Sequence, residues 1–229
     1  MRQTLTKKEH KLIEEAVVKF EEHSKLFEGI ADSLMEAFQA DPTLKQYIHF
    51  IKSRVKSPNR LREKLERKYR ELPNGKNPPI TADNLFEKIN DLAGIRILHL
   101  HTDQIGELNK SVCRVIEEQK LKITEGPVAN CWDVEYENLF NANSIETKSR
   151  DSMYTSIHYV IQANERTKIT FELQVRTLME EVWGEVAHKV GYEDEAFNES
   201  VLAQLRVLAR LTSGSTRLVD CIFKTYESE

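Results

Sequence analysis

Residues 171–190 read FELQVRTLMEEVWGEVAHKV. In the first six, Phe171, Leu173 and Val175 alternate with Glu172, Gln174 and Arg176, the period-two pattern of a strand with one buried face. After Thr177, a natural helix N-cap, the period becomes helical, with Met179, Val182, Trp183 and Val186 on one side and Glu180, Glu181 and Glu185 on the other. The strand thus presents three hydrophilic side chains on one face, each about 7 Å from the next. A buried, unpaired glutamate is costly, so this face meets either solvent or a functional cleft.

Working outward, Thr6 and Glu9 have capping-box spacing and open a helix reaching to about Ala40, with apolar residues recurring at threes and fours. A strand is predicted from Tyr47 to Val55, and Ser57-Pro58 then form the N-cap and first residue of a basic helix ending near Glu71. PNGKNPP (73–79) is a loop, Thr81 to Asn90 a helix, AGIRILHL (93–100) a strand and Gln104 to Gln119 a helix. A short strand is expected at Lys120 to Thr124, and the polar tract NANSIETKSRDS (141–152) reads as a mobile loop. Strands at 156–162 and 168–175 flank a hairpin tip at Asn164-Glu165-Arg166, followed by helices over 177–190 and from about Glu195 to Tyr226. Hairpin and crossover signals are mixed, which predicts an α+β fold, a mixed sheet flanked by helices with long helices at both ends. The expected organisation is a helical segment over 1–44, a central domain over 45–192 and a terminal helix over 193–229.

A chain of 229 residues, 40% hydrophobic and 31% charged, is an ordinary soluble globular protein. Its net charge of -4 argues against a generic nucleic-acid binder while leaving room for a local basic cleft. Cys113, Cys131 and Cys221 are odd in number and widely spaced, so neither a disulfide framework nor zinc spacing is read from them. Without a signal-peptide pattern or a membrane-length apolar run, a cytoplasmic protein with no membrane contact is expected.

Three further clusters carry chemistry. Asp91 stands at the mouth of the apolar strand in NDLAGIRI (90–97), where it either caps a turn or joins a second carboxylate in holding magnesium. In SRVKSPNRLREKLERK (53–68), Arg54 and Lys56 share a strand face, and Arg60, Lys64 and Lys68 repeat along a helix whose N-terminus lies nearby, an arrangement suited to polyphosphate. A solvated helix laced with ion pairs to Glu63 and Glu66 accounts for the helix but not for Arg54 and Lys56. In RDSMYTSIH (150–158), Tyr154, Ser156 and His158 share a face, offering an aromatic plane and hydrogen-bonding groups, as a structural sheet edge also would.

Taken in order, RVKSPNRLREKL, DLAGIRI, YTSIH, ELQVRT and WGEVAHKV resemble the synthetase domain of the RelA/SpoT family, the alarmone synthetases, over roughly residues 45 to 192. The resemblance implies a nucleotidyltransferase-like fold and transfer of the β,γ-pyrophosphate of ATP to the 3′-hydroxyl of GTP or GDP. It implies that Asp91 and Glu172 hold magnesium and that Glu172 also activates the acceptor. Arg54, Lys56, Ser57, Lys64 and Arg96 are expected on the ATP side. Arg150, Ser152, Tyr154, His158, Gln174 and Arg176 are expected on the acceptor side, with Tyr154 stacking on guanine. Ser152, Met153 and Thr155 depart from the Asn-Gly-Tyr-Arg pattern of many relatives, and Arg150 stands where lysine is usual. None of the seven histidines is followed by aspartate, so synthesis without the family's hydrolase activity is expected. The alternatives are a toxic family branch acting on the tRNA 3′ end or on adenosine nucleotides and neutralised by an antitoxin, and a non-catalytic nucleotide- or partner-binding domain. The apolar face of the last helix, Leu202, Leu205, Leu208, Leu211 and Val219, serves either the protein's own core or a homo-oligomer.

Overall fold

The computed structural model describes residues 4–71, 80–150, 152–163, 168–190 and 198–228. The expected loop at 73–79, the hairpin tip at 164–166 and positions 195–197 of the last helix lie outside the described residues. Helix α1 (Lys7–Ala40) begins with the expected capping box, in which Thr6 Oγ1 accepts the Glu9 N–H at 3.2 Å and Glu9 Oε2 accepts the Thr6 N–H at 2.6 Å. A one-turn helix α2 (Leu44–Tyr47), its Leu44 N–H bound to Asp41, leads into β1 (Phe50–Val55). Ser57 Oγ accepts the Arg60 N–H and caps α3 (Pro58–Glu71). There follow α4 (Leu85–Lys88), β2 (Ala93–His99), a 3-10 turn at Thr102–Gln104, α5 (Ile105–Glu118), β3 (Lys122–Cys131), α6 (Val134–Ala142) and β4 (Glu146–Ser149). The chain continues through β5 (Ser156–Gln162), β6 (Thr170–Thr177), α7 (Leu178–Lys189) and α8 (Glu199–Glu227).

The strands form one mixed six-stranded sheet in the order β1-β2-β6-β5-β3-β4. β2 and β6 run parallel, with Gly94 opposite Glu172 and Arg96 opposite Gln174, while β1 and β5 flank them antiparallel. Because side chains alternate across a strand, this register divides the sheet into two chemically different faces. One face sends Ile51, Ile95, Ile97, Phe171, Leu173, Val175, Ile157, Tyr159 and Ile161 into the main core beside residues of α1, α3 and α5. The opposite face carries Lys52, Arg54, Arg96, Glu172, Gln174 and His158 and is partly roofed by α7, with α8 packed on α7.

The helix expected over Thr81 to Asn90 shrinks to the single turn of α4. Asn84 Oδ1 turns back to accept the Thr81 N–H, and the Thr170 hydroxyl donates to Asn90 Oδ1 and to the Phe86 carbonyl, so the segment is anchored to β6 rather than extended along a helix. The tract expected as a mobile loop at 141–152 contains the end of α6 and edge strand β4, which pairs parallel with β3. Residues 146–149 are largely exposed, so no apolar alternation announced this strand. β3 itself runs to Cys131, beyond the expected Thr124, across a bulge at Gly126. That glycine has φ +90, and a Cβ there would meet the His158 carbonyl oxygen at 2.3 Å.

The largest departure concerns α7. Val182 and Val186, on the apolar side of the pattern, are 48% and 39% exposed, whereas Glu181, on its acidic side, is 8% exposed and meets Lys52, Arg96 and Arg176 of the sheet. The sheet face under α7 is cationic, so the helix turns its carboxylates rather than its valines toward it.

Thr177 caps α7 with Glu180 completing a second capping box. Glu180 Oε2 accepts the Thr177 N–H at 2.8 Å, while its Oε1 is buried with no hydrogen-bond partner among the described residues. Burial pushes this carboxyl from 4.5 up to about 7. The folded state therefore binds this proton more tightly than the unfolded chain, and stability declines as pH rises from 4.5 to about 7 before levelling off. Glu180→Gln keeps an acceptor for Thr177 and is expected to remove that decline and raise the urea midpoint at about pH 8. Parallel pH profiles of urea unfolding for parent and variant would refute the assignment.

Candidate active site

The polar face opens into a cleft of about 260 Å³ lined by Lys52, Arg54, Asp91, Gly94, Arg96, Glu172, Gln174 and Glu185 among others. Three cations (Lys52, Arg54, Arg96) and three carboxylates (Asp91, Glu172, Glu185) share this lining. Lys56 and Lys64 stand behind Asp91 and tip the balance toward positive.

Asp91 lies two residues before β2, and its Oδ2 accepts from Lys56 Nζ at 2.8 Å and from Lys64 Nζ at 2.7 Å. Lys56 follows β1 and Lys64 lies nearly two turns inside α3, so three elements meet at this carboxylate. Burial works to raise the Asp91 pKa, but the two ammonium groups outweigh it and hold the carboxyl below its ordinary range. Its Oδ1 is buried with no hydrogen-bond partner among the described residues. Burial together with the Lys64 and Arg54 charges holds Lys56 below its usual value despite the attraction of Asp91.

Across the cleft, Glu172 Oε1 meets His158 Nδ1 at 2.6 Å and Glu172 Oε2 accepts from Gln174 Nε2 at 2.9 Å. A carboxylate only accepts, so His158 Nδ1 carries a proton, and in the neutral ring Nε2 accepts from the Tyr154 hydroxyl at 3.0 Å. Burial would raise the Glu172 pKa; the hydrogen bond and charge of His158, with the Gln174 amide, overcome it and keep the group low. Asp91 acts in the opposite sense on Glu172, the electrostatic signature of two carboxylates facing one space. Gln174 is oriented from both ends, because its Oε1 accepts from Arg96 Nε at 3.1 Å.

The roof supplies the remaining charge. Arg96 Nη1 donates to Glu181 Oε1 at 2.9 Å and to Glu185 Oε1 at 3.1 Å, and Lys52 Nζ lies 2.8 Å from Glu181 Oε1. Arg176 is 3% exposed and also pairs with Glu181, below the Gly184 backbone. In such buried clusters, removing one partner costs about 3–5 kcal/mol because the remaining charges stay desolvated.

Of the residues expected from sequence, Asp91, Glu172, Arg54, Arg96 and Gln174 line the cleft, while Lys56 and Lys64 touch Asp91 and His158 touches Glu172. Arg176 faces the same side of β6 but lies beneath α7, outside the lining. Tyr154 belongs to a second apolar cluster with Trp183, Ala187, Leu205 and Met153, and the Arg176 guanidinium lies 5.8 Å from its ring centre. Arg150 is bound to Asn130 Oδ1 at 2.7 Å, Ser57 is spent on capping α3, and Ser152 also lies outside the lining. Sequence reasoning missed Lys52, Gly94, Glu181 and Glu185. Lys52 was legible as the first member of a Lys52, Arg54, Lys56 alternation. The two glutamates were not, because their pattern is that of a solvated helix face.

Residues 53–196, well over half of the chain, match the family described as the region found in RelA / SpoT proteins. The chain belongs to the RelA/SpoT family. The fold of this family member resembles the small alarmone synthetase 1 from Bacillus subtilis, with TM-score 0.61 and 17% identity over 93% of this chain and 96% of that one. It also resembles the small alarmone synthetase 2 from Bacillus subtilis, with TM-score 0.58 and 20% identity over 89% and 97% of the two chains. A GTP pyrophosphokinase family protein from Streptococcus pneumoniae matches with TM-score 0.56 and 19% identity over 98% and 97%. No curated protein matches the chain. Among the described residues of this RelA/SpoT protein, no helix is long and apolar enough to cross a membrane.

The balance at Asp91 is directly testable. In Lys56→Met the carboxylate stays buried and loses one of its two cations, so its pKa, read by carboxyl carbon NMR, is expected to rise. An unchanged titration would show that Lys56 does not counter burial there.

Proposed function

We propose that this protein transfers the β,γ-pyrophosphate of ATP to the 3′-hydroxyl of GTP or GDP, with no hydrolase activity. The observation that carries the reading is the pairing across one cleft of Asp91, held by Lys56 and Lys64, with Glu172, held by His158 and Gln174. Related folds add support: the small alarmone synthetase 1 from Bacillus subtilis has been solved bound to its product pppGpp and bound to AMPCPP.

In this reading Arg54 and Arg96 bind the ATP side, with Lys56 and Lys64 on its phosphates and Ser57 at the α3 N-terminus beside them. The acceptor 3′-oxygen attacks the β-phosphorus, the bond from that phosphorus to the α,β-bridging oxygen breaks, and AMP leaves. Glu172, ionised at neutral pH by its hydrogen bonds, accepts the hydrogen bond of the attacking hydroxyl and then its proton. His158 keeps Glu172 oriented. Tyr154 offers its ring to the acceptor base once Arg176 and its neighbours make room, and Arg150, Ser152 and Gln174 flank that side. No covalent intermediate is needed, so rate comes from positioning and from cations facing the charge that develops on phosphate oxygens.

Magnesium suits this site. Asp91 Oδ1 is a buried hard oxygen with no hydrogen-bond partner among the described residues, and Glu172 is a second carboxylate on the same cleft. One or two carboxylates plus substrate phosphates are the ligands this ion prefers. When bound by Asp91 and Glu172 it would neutralise phosphate charge.

The test is to offer γ-labelled ATP and magnesium with GDP, GTP, AMP, ATP or deacylated tRNA in separate reactions. Label is expected on GDP or GTP, falling about 10²–10⁴-fold in Glu172→Gln, which keeps the shape but not the base. Label only on tRNA or adenosine nucleotides would replace the acceptor and direct attention to an antitoxin. Magnesium-ATP binding without transfer to any acceptor would refute the enzymatic reading.

A further inference from the structure

A second group of ligand-type side chains lies away from the cleft. β2 enters the site near Gly94, and His99 at its other end stands roughly 16 Å further on at ~3.3 Å per residue. Just beyond it, His101, Asp103 of the 3-10 turn and Asp220 of α8 converge, each offering an atom within 4.8 Å of the others. These residues come from two segments far apart in the chain, joined where α8 docks against the turn.

His101 is 6% exposed, and its ring stacks on Phe223 with centroids 4.3 Å apart. Its Nδ1 is buried with no hydrogen-bond partner among the described residues, an arrangement that ordinarily destabilises a fold. That nitrogen points toward Asp220, with 3.7 Å to Oδ1. The gap is too long for a hydrogen bond and near the ~3.3 Å that separates two ligand atoms on a tetrahedral zinc with bonds of ~2.0–2.1 Å.

The surroundings orient the donors as outer partners orient metal ligands. Thr102 donates its N–H to Asp220 Oδ1 and its hydroxyl to Oδ2, both at 2.6 Å, which fixes the carboxylate and leaves each oxygen a free lone pair. His99 Nδ1 donates to the His101 carbonyl at 3.0 Å and steadies the segment. Asp103, exposed at the mouth, is 3.0 Å from Lys224 Nζ, so a cation already occupies its outer side.

We infer that His101 Nδ1, Asp103 and Asp220 form a binding site for a divalent transition metal of the zinc class. One imidazole and two carboxylates favour such a borderline ion over magnesium, which prefers all-oxygen sites. The ion clips α8 to the end of β2, and Lys224 competes with it for Asp103. The site is independent of the cleft and of the reaction proposed for it.

The test is zinc titration by calorimetry of the full chain in millimolar magnesium, after chelator treatment, in a Cys221→Ser background that removes the exposed neighbouring thiol. Binding of one zinc ion per chain is expected, weakened about 100-fold or more by His101→Ala and by Asp103→Asn. Lys224→Met is expected to tighten it by removing the competing cation. Asp103 is exposed, so Asp103→Asn should keep the parent's circular dichroism and its loss of zinc then reports a lost ligand rather than misfolding. Zinc should also raise the thermal midpoint of the parent but not of His101→Ala. Absence of stoichiometric zinc, or an affinity indifferent to both His101→Ala and Asp103→Asn, overturns the proposal.

Discussion

The polar side of this protein depends on one parallel strand pairing, β2 against β6. It sets Gly94 opposite Glu172 and so brings the strand mouth that carries Asp91 beside the strand that carries Glu172. The approach is close: a Cβ on Gly94 would lie 3.2 Å from the Glu172 backbone oxygen. The same register sets Arg96 opposite Gln174, and the antiparallel neighbours add Lys52 on one side and His158 on the other. A row of hydrogen-bonding side chains thus crosses four strands, from Lys52 through Arg96 and Gln174 to His158. A one-residue slip of any one of these strands would turn its member of the row into the apolar core.

Such a row of buried and half-buried charge needs a counter-surface, and α7 provides it. Glu181 meets Arg96, Arg176 and Lys52, and Glu185 meets Arg96 and Lys52. Polar complementarity thereby outweighs the hydrophobic pattern of the helix, leaving Val182, Val186 and Val190 partly in solvent. The penalty for exposing parts of a few valines is small beside that for leaving Arg176 desolvated and unpaired. α8 then covers the other side of α7, with Trp183 Nε1 donating to the Leu205 carbonyl at 3.0 Å. Much of the inward stripe of α8 is polar, Thr212, Ser213, Thr216 and Asp220; the last three find partners in Asp133, Thr177 and Thr102, and the Thr212 hydroxyl donates to the Ala209 carbonyl.

Segments with local signals were legible beforehand. The capping box at Thr6, the caps at Thr177 and Ser57 and the alternation in β6 each depend on residues a few positions apart. Where pairing came from distant chain, the reading failed. β4 has no apolar alternation because it is an exposed edge, and the α4 segment is held short by Thr170 on β6. The cleft residues followed the same division. Arg54, Lys56, Asp91 and Glu172 stood out as charge placed on or beside apolar strands, whereas Glu181 and Glu185 looked like a solvated helix surface.

Sequence alone determined the α+β class, the long terminal helices, the family and the identity of the two opposed carboxylates, because alternation, capping and motif order are written in local residue spacing. Only the tertiary structure decided which charges meet: that Asp91 answers to Lys56 and Lys64, that Glu172 is held by His158 and Gln174, that Arg176 turns under α7, and that His101 finds Asp220. Those pairings join residues brought together by strand register and helix packing, and whether a carboxylate sits in water or against an arginine is a property of the fold rather than of its neighbours in the chain.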